Sequence, residues 1–244
     1  MPLLEVDGAR KQYGGLTALD GIDLSVEEGQ FHGLIGPNGS GKSTLLIIIA
    51  GAEAATAGRI IFLGREITRD TSTDRARAGI KLKFQITSVF PELSVYDNVL
   101  LAIQAASSLG GLMRSASRRG LHTQIMRSLD HFRLTPRVSD LAGILSHGEQ
   151  QWLEIAMALA LDPKLLLLDE PTAGMSPEER RVTGELLSPI RQRCAVLIVE
   201  HDLDFIKGIC DVLTVLDHGQ VLEHGTVAQV EASDRVQEVY LSRV

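Results

Sequence analysis

The sequence predicts an α/β fold: a mainly parallel sheet flanked by helices, with an inserted helical stretch. Three observations carry this. A glycine-rich run, Gly36-Pro37-Asn38-Gly39-Ser40-Gly41-Lys42-Ser43-Thr44, follows the apolar stretch Phe31-His32-Gly33-Leu34-Ile35 and leads into helix-like residues 45–50. Two runs, Leu165-Leu166-Leu167-Leu168 and Ala195-Val196-Leu197-Ile198-Val199, are continuously apolar, as parallel strands buried on both faces are. Residues 86–160 show mainly helical patterns and few strand signals. The 244 residues are enough for one large domain or two small ones.

Taken in order, Leu4-Glu5-Val6 reads as a short strand, and Ile22-Asp23-Leu24-Ser25-Val26 alternates like a half-buried one. Between them stands Tyr13, before Gly14-Gly15. An exposed aromatic there can stack on a base, worth about 1–3 kcal/mol; an ordinary partly buried tyrosine fits the same position. Strand, glycine-rich loop and helix form the context of a phosphate-binding loop. Gly36, Gly39 and Gly41 let the backbone turn sharply and approach a ligand. Successive N–H groups cradle phosphate oxygens, and the helix N-terminus adds roughly half a positive charge. Lys42 brings a full charge toward the β- and γ-phosphates, and the Ser43 hydroxyl is placed to ligate Mg²⁺.

Gly58-Arg59-Ile60-Ile61-Phe62-Leu63-Gly64 is a strand bounded by glycines, and residues 72–78 form a short polar helix. Ile80-Lys81-Leu82-Lys83-Phe84 alternates and ends at Gln85. Ser94-Val95-Tyr96-Asp97 resembles a capping box opening a helix toward Ala106. Residues 107–120, with Arg114, Arg118 and Arg119, read as a solvated surface loop, and residues 123–132 as an amphipathic helix. Leu145-Ser146-His147-Gly148-Glu149-Gln150-Gln151 opens a helix running to Leu161. Ser176-Pro177-Glu178-Glu179 combines an N-cap, a proline at the first helical position and first-turn acids. Leu213 to Leu216 and Val221-Leu222 form a hairpin around His218-Gly219, and residues 233–241 read as a helix.

Chemistry can come from the strand ends, where ligands gather in open α/β sheets. Asp169 is positioned to hold Mg²⁺ and Glu170 to polarise an attacking water. Phosphoryl transfer asks mostly for positioning and charge neutralisation. His201 ends the second apolar strand and can sense a γ-phosphate or hold that water; a structural histidine fits equally. Gln85 can touch metal or water from its own strand end. Ser146 and Gly148 open a helix whose N-terminus suits an anion. Two such termini cannot easily grip one γ-phosphate from the same subunit, whereas two chains meeting head to tail can.

The net charge of −7 argues against a broad nucleic-acid surface. Cys194 and Cys210 lack metal-ligand spacing and read as reduced core cysteines. No basic segment followed by an apolar one marks a secretory signal. No apolar run approaches the roughly 20 residues of a membrane span, so work at a membrane requires a partner that supplies the spans.

These residues resemble the ATP-binding subunits of ABC transporters across essentially the whole chain. Residues 36–44 match Walker A, 165–170 match Walker B with its catalytic glutamate, and Gln85 matches the Q-loop. Leu145 to Gln150 matches the signature motif, with Ser146, His147, Gly148 and Glu149 facing a nucleotide; His201 matches the switch histidine and Tyr13 the adenine-stacking position. The resemblance implies a P-loop NTPase (RecA-like) core over residues 1–85 and 161–244, including an antiparallel β subdomain, and an inserted α-helical subdomain over residues 86–160. It implies ATP and Mg²⁺ as cofactors, hydrolysis by Glu170 with His201 and Gln85, and metal contacts from Ser43, Gln85 and Asp169. It also implies a nucleotide-sandwich dimer with a second ATPase subunit, docking on membrane permease subunits through the helical subdomain, and an extracytoplasmic solute-binding protein. The location implied is the cytoplasmic face of the inner (plasma) membrane, without nucleic acid as a partner. Two departures stand out: His147-Gly148-Glu149 replaces the usual Gly-Gly-Gln, and Ser176 takes the D-loop aspartate position. Both look like the branch importing branched-chain amino acids, with urea and short-amide importers as the alternative. A soluble ABC ATPase acting on DNA or ribosomes is the rival class; such proteins carry coiled-coil inserts, zinc cysteines or two cassettes.

Overall fold

Strands β7 (Leu165–Asp169) and β8 (Ala195–Val199) are buried at every position, which is why their sequences are apolar without alternation. The structure, a computed structural model, describes residues 1–83, 89–106 and 118–241. Among these, β7 and β8 lie in a six-stranded sheet of order β10-β9-β3-β8-β7-β6, with β3 at Phe31–Ile35, β6 at Ile80–Lys83, β9 at Val212–Asp217 and β10 at Gln220–Thr226. Neighbours from β9 to β6 run parallel, and β10 returns antiparallel to β9 as the hairpin. A second, antiparallel sheet of order β2-β1-β4-β5 is built from β1 (Leu4–Tyr13), β2 (Leu16–Val26), β4 (Ala57–Phe62) and β5 (Arg65–Glu66).

Alternate residues of the central strands enter two cores. Leu165, Leu167, Ala195, Leu197 and Val199 pack with the antiparallel sheet and with helix α1 (Lys42–Ala50). Leu166, Leu168, Val196 and Ile198 pack on the opposite face. That face is covered by α3 (Val95–Ala106), α4 (Arg118–His131), α5 (His147–Leu159), α6 (Pro177–Leu187) and α7 (Leu203–Ile209), following the short α2 (Ser72–Ala78) in the chain. The inserted helices therefore share their core with the sheet: Val95, Val99, Ile125, Leu129 and Leu153 belong to the same cluster as Leu166 and Val196. Each buried leucine or isoleucine contributes about 1.5–3 kcal/mol. Both cysteines are buried thiols, and burial pushes each pKa up to about 12. Among the described residues no helix is long and apolar enough to cross a membrane.

Several boundaries depart from the sequence reading. β1 runs from Leu4 through Tyr13, well past Val6, so Tyr13 ends a strand instead of lying between two. Register shifts after Val6, Ala9 and Lys11 break the alternation, and Gly8 adopts φ +58°. α1 begins at Lys42, three residues before the apolar run, because Gly41 at φ +106° takes the N-cap position. α4 begins at Arg118, earlier than expected, and α5 ends at Leu159. Helix α8 (Val227–Glu231), capped by Thr226, was not expected; α9 (Asp234–Leu241) was. Gln85 and residues 107–117 of the expected basic loop lie outside the described residues.

Arg75 of α2 is almost fully buried and ties down the far end of α1. Its guanidinium donates to the carbonyls of Ile48 (2.6 Å), Ile49 (2.9 Å), Thr68 (2.9 Å) and Asp70 (3.2 Å). A cation at a helix C-terminus also opposes the helix dipole. Arg75→Met keeps the apolar stem and deletes these donors, so the unfolding free energy is expected to fall by about 3 kcal/mol. Chemical denaturation measures it; an unchanged midpoint would show that water replaces the guanidinium.

Candidate active site

Parallel register brings three loops to one sheet edge. Leu34 of β3 pairs with Val199 of β8, which pairs with Asp169 of β7. The chain leaves these strands at Gly36, Glu200 and Glu170.

The first loop is shaped by its glycines. At Gly36, with φ +147°, a Cβ would lie 2.1 Å from the Leu216 carbonyl oxygen; at Gly41 it would lie 2.6 Å from that of Ala18. Pro37, Asn38 and Gly39 carry the turn, and the Ser40 N–H closes it on the Pro37 carbonyl at 3.2 Å. The buried Ser40 hydroxyl has no hydrogen-bond partner among the described residues. Lys42 folds back over the loop, donating from Nζ to the carbonyls of Gly36 (2.8 Å) and Pro37 (3.0 Å). Burial pushes its pKa down, opposed by the nearby carboxylates of Glu170 and Asp169. Ser43 donates to Asp169 Oδ1 at 3.3 Å, and burial raises the Asp169 pKa. Two hard oxygens, from the start of α1 and the end of β7, thus converge beside the loop.

Glu170 lies in the left-handed region at φ +47°, which costs a non-glycine residue about 1–3 kcal/mol. Its N–H donates to the Val199 carbonyl at 2.9 Å, and its Oε1 lies 2.8 Å from His201 Nε2. With a proton on Nε2 the imidazole donates to that carboxylate. Asp202 follows His201, caps α7 by accepting the Phe205 N–H (3.0 Å), and pairs with Arg180 at 2.7 Å.

The start of α5 is a complete capping box. Ser146 Oγ accepts the Glu149 N–H at 3.2 Å, and Glu149 Oε2 accepts the Ser146 N–H at 2.8 Å. Arg137 stands 3.4 Å from the same Glu149 carboxylate. His147 Nε2 lies 3.0 Å from the Ala173 carbonyl oxygen, to which it donates. Gly148 is buried against Glu179, where a Cβ would lie 2.5 Å from Oε1. Ser176, at the expected D-loop aspartate position, is itself an N-cap: it opens α6 in a second capping box with Glu179.

Tyr13 is 42% exposed, leaving a ring face accessible. Its hydroxyl donates to Glu53 Oε2 at 2.7 Å, which raises its pKa, and interacts with Thr44 on α1. The Lys11 ammonium stands 4.9 Å from the ring centroid. The structure therefore gathers residues 36–44, Asp169, Glu170 and His201, with the Tyr13 hydroxyl bonded to Glu53 just beyond α1, while the Ser146 tip connects to them through His147 and Ala173.

Two features were missed in the sequence. Glu200, 4% exposed, accepts the N–H (2.8 Å) and hydroxyl (2.6 Å) of Thr172. An acid directly after an apolar strand was the available signal. Lys83, the last residue of β6, is buried against Glu154 of α5 with 3.3 Å between Nζ and Oε2.

A protein-family model described as ABC transporter matches residues 19–173. The chain is 34% identical to the high-affinity branched-chain amino acid transport ATP-binding protein BraF of Pseudomonas aeruginosa and 31% identical to LivG, of the same description, from Escherichia coli K12, each over 98% of both chains. Among solved structures, the ADP conformation of MJ1267, an ATP-binding cassette of an ABC transporter, superposes with a TM-score of 0.90 at 30% identity, covering 100% of both chains. A structure of cbiO1 from Clostridium perfringens, part of the ABC transporter complex cbiONQ, reaches 0.85 at 27% identity, covering 100% of this chain and 96% of that one.

Lys42→Ala removes the ammonium from the loop and is expected to weaken nucleoside triphosphate binding at least tenfold, a loss of about 1.4 kcal/mol or more. Titration calorimetry measures this; unchanged affinity would refute the phosphate-loop assignment.

Proposed function

Because the chain belongs to the ABC transporter family as an ATP-binding cassette, we propose that it is the ATP-hydrolysing subunit of an importer for branched-chain or other hydrophobic amino acids. It works at the cytoplasmic face of the inner (plasma) membrane on permease subunits, and an extracytoplasmic solute-binding protein delivers the substrate. The single observation carrying the substrate class is the full-length likeness to BraF and LivG.

The proposed chemistry follows from the strand-end geometry. The N–H groups of residues 38–44 cradle the phosphates of ATP, and Lys42 exchanges two backbone carbonyls for phosphate oxygens. The convergent oxygens of Ser43 and Asp169 fit Mg²⁺, whose preference is for hard oxygen ligands. When bound, Mg²⁺ neutralises charge on the phosphate oxygens. Glu170 accepts a proton from the attacking water, His201 holds its carboxylate, and Gln85 completes the set as the amide touching metal or water. Tyr13 offers its exposed face to adenine.

The second nucleotide contact comes from another ATPase subunit, a copy or a paralogue. Among the described residues the Ser146 hydroxyl only accepts, leaving its proton available to a γ-phosphate; the Ser176 hydroxyl already donates to Glu179 at 2.8 Å. The part of the chain between β6 and β7 meets the permease. Phe90 (52% exposed), Leu141 (50%) and Ile144 (64%) are exposed apolar side chains on two segments knitted by Ala142 N–H to Leu93 carbonyl and Gly143 N–H to Pro91 carbonyl bonds.

Reconstituted with its permease and solute-binding protein, the chain is expected to drive ATP-dependent leucine uptake. Glu170→Gln should keep ATP binding, trap the dimer and lower turnover at least a hundredfold. Wild-type turnover in that variant would refute the base assignment, and uptake of urea instead of leucine would move the chain to the short-amide branch. Ile144→Asp should abolish co-purification with the permease while leaving ATP affinity unchanged; intact co-purification would place the docking surface elsewhere.

A further inference from the structure

Glu200 ends up dry because it directly follows a strand buried on both faces. A carboxylate withdrawn from water needs donors, and this one has three close by. Its Oε1 accepts the Thr172 N–H at 2.8 Å and the Thr172 hydroxyl at 2.6 Å; its Oε2 accepts the His201 N–H at 3.1 Å. Thr172 is itself 3% exposed, so the contact is sealed.

The three donors belong to the two segments that carry the reacting side chains. Thr172 stands two residues after Glu170, and His201 is the residue that meets the Glu170 carboxylate at 2.8 Å. Glu170 holds a left-handed backbone conformation, which persists only where the surroundings over-determine it. The β7 side of that constraint is the Glu170 N–H bond to Val199, and the turn closes by the Ala173 N–H bond to the Glu170 carbonyl at 3.2 Å. Between these, Thr172 is the residue anchored across to the other loop.

We propose that Glu200 is a positioning residue that sets the Glu170–His201 geometry, through the Thr172 side chain and N–H on one side and the His201 backbone on the other. Glu200 does not touch substrate in this role; it fixes the distance between two groups that do. Misplacing a reacting group by about 1 Å can cost about a hundredfold in rate, so a bracket of three short bonds has a measurable share of turnover to protect. The inference rests on the reading of Glu170 as the base.

The test compares steady-state ATPase kinetics of the full chain in Thr172→Val, Thr172→Ser, Glu200→Gln and Glu170→Gln. Valine is close to isosteric and removes only the hydroxyl donor. Glutamine at 200 keeps an acceptor for Thr172 but turns an amide toward the His201 N–H. Thr172→Val and Glu200→Gln are expected to lower kcat at least tenfold with KM within twofold of wild type, and Thr172→Ser to return kcat to within threefold. Wild-type kcat in Thr172→Val would overturn the proposal, as would equal losses in the valine and serine variants or a KM that rises in step with the fall in kcat. Should Thr172→Val fail to fold, Glu200→Gln decides alone by the same split. Glu170→Gln separates the two readings: full activity there removes the base assignment, whereas an inactive Glu170→Gln beside a fully active Thr172→Val removes only the clamp.

Discussion

The site depends on the parallel pairing of three neighbouring strands, β3, β8 and β7. A phosphate loop is a strand end followed by a helix, and it needs both held rigidly. Here the strand end is buried from two sides and the helix is fixed at its far end by Arg75. Because Leu34, Val199 and Asp169 form one row across the sheet, the glycine loop, Glu200 with His201, and Glu170 leave at the same level. A slip by one residue in either pairing would turn every side chain of a strand to the opposite face. Both faces are apolar cores, so a slip would press Asp169 or Glu200 into one of them without the partners that each has at its strand end. Register and catalytic geometry are thus enforced by the same burial.

Much of this was legible because it is local. The order strand, glycine loop, helix is written in adjacent residues, and so is an apolar strand ending in Asp169-Glu170. The N-cap at Ser176 was readable from its proline and first-turn acids, whereas at Ser146 only the opening of a helix was read and the capping box with Glu149 comes from the structure. Other features were not legible, each for a physical reason. β1 was cut short because bulges destroy the period-two pattern on which strand reading rests. α1 begins earlier than its apolar run because its first residues, Lys42, Ser43 and Thr44, are polar and carry no apolar periodicity. The Glu200–Thr172 contact spans 28 residues and joins two loops, so only the register of β7 on β8 brings it about. Lys83 and Glu154 look like surface residues of a strand and a helix until the sheet edge is covered.

The two capping boxes make a useful pair because they differ in one proton. Each places a glutamate carboxylate at the start of a helix, neutralising the terminal N–H groups. At Ser176 the hydroxyl proton is also committed to the carboxylate, which closes that terminus. At Ser146, among the described residues, it is not. The two termini are joined through His147 on the Ala173 carbonyl and through Gly148 against Glu179. The residues that distinguish this signature from Gly-Gly-Gln therefore serve contacts within the chain: the imidazole reaches the segment after Glu170, and Glu149 supplies the cap.

The helical insertion is not mechanically independent of the sheet. Its apolar residues belong to the same core as Leu166 and Val196, and its last helix, α5, carries one partner of a buried ion pair. The other partner, Lys83, ends the strand that leads to Gln85. Burial pushes the Lys83 pKa down, and Glu154 opposes that shift, so the Lys83 ammonium depends on Glu154 staying in place. Separating them inside the core would leave an uncompensated charge, at a cost of about 3–5 kcal/mol. That is a large fraction of the about 5–15 kcal/mol that holds a domain folded. The end of β6 and α5 are therefore joined by a buried contact that is costly to break, and the same helix opens at the Ser146 cap.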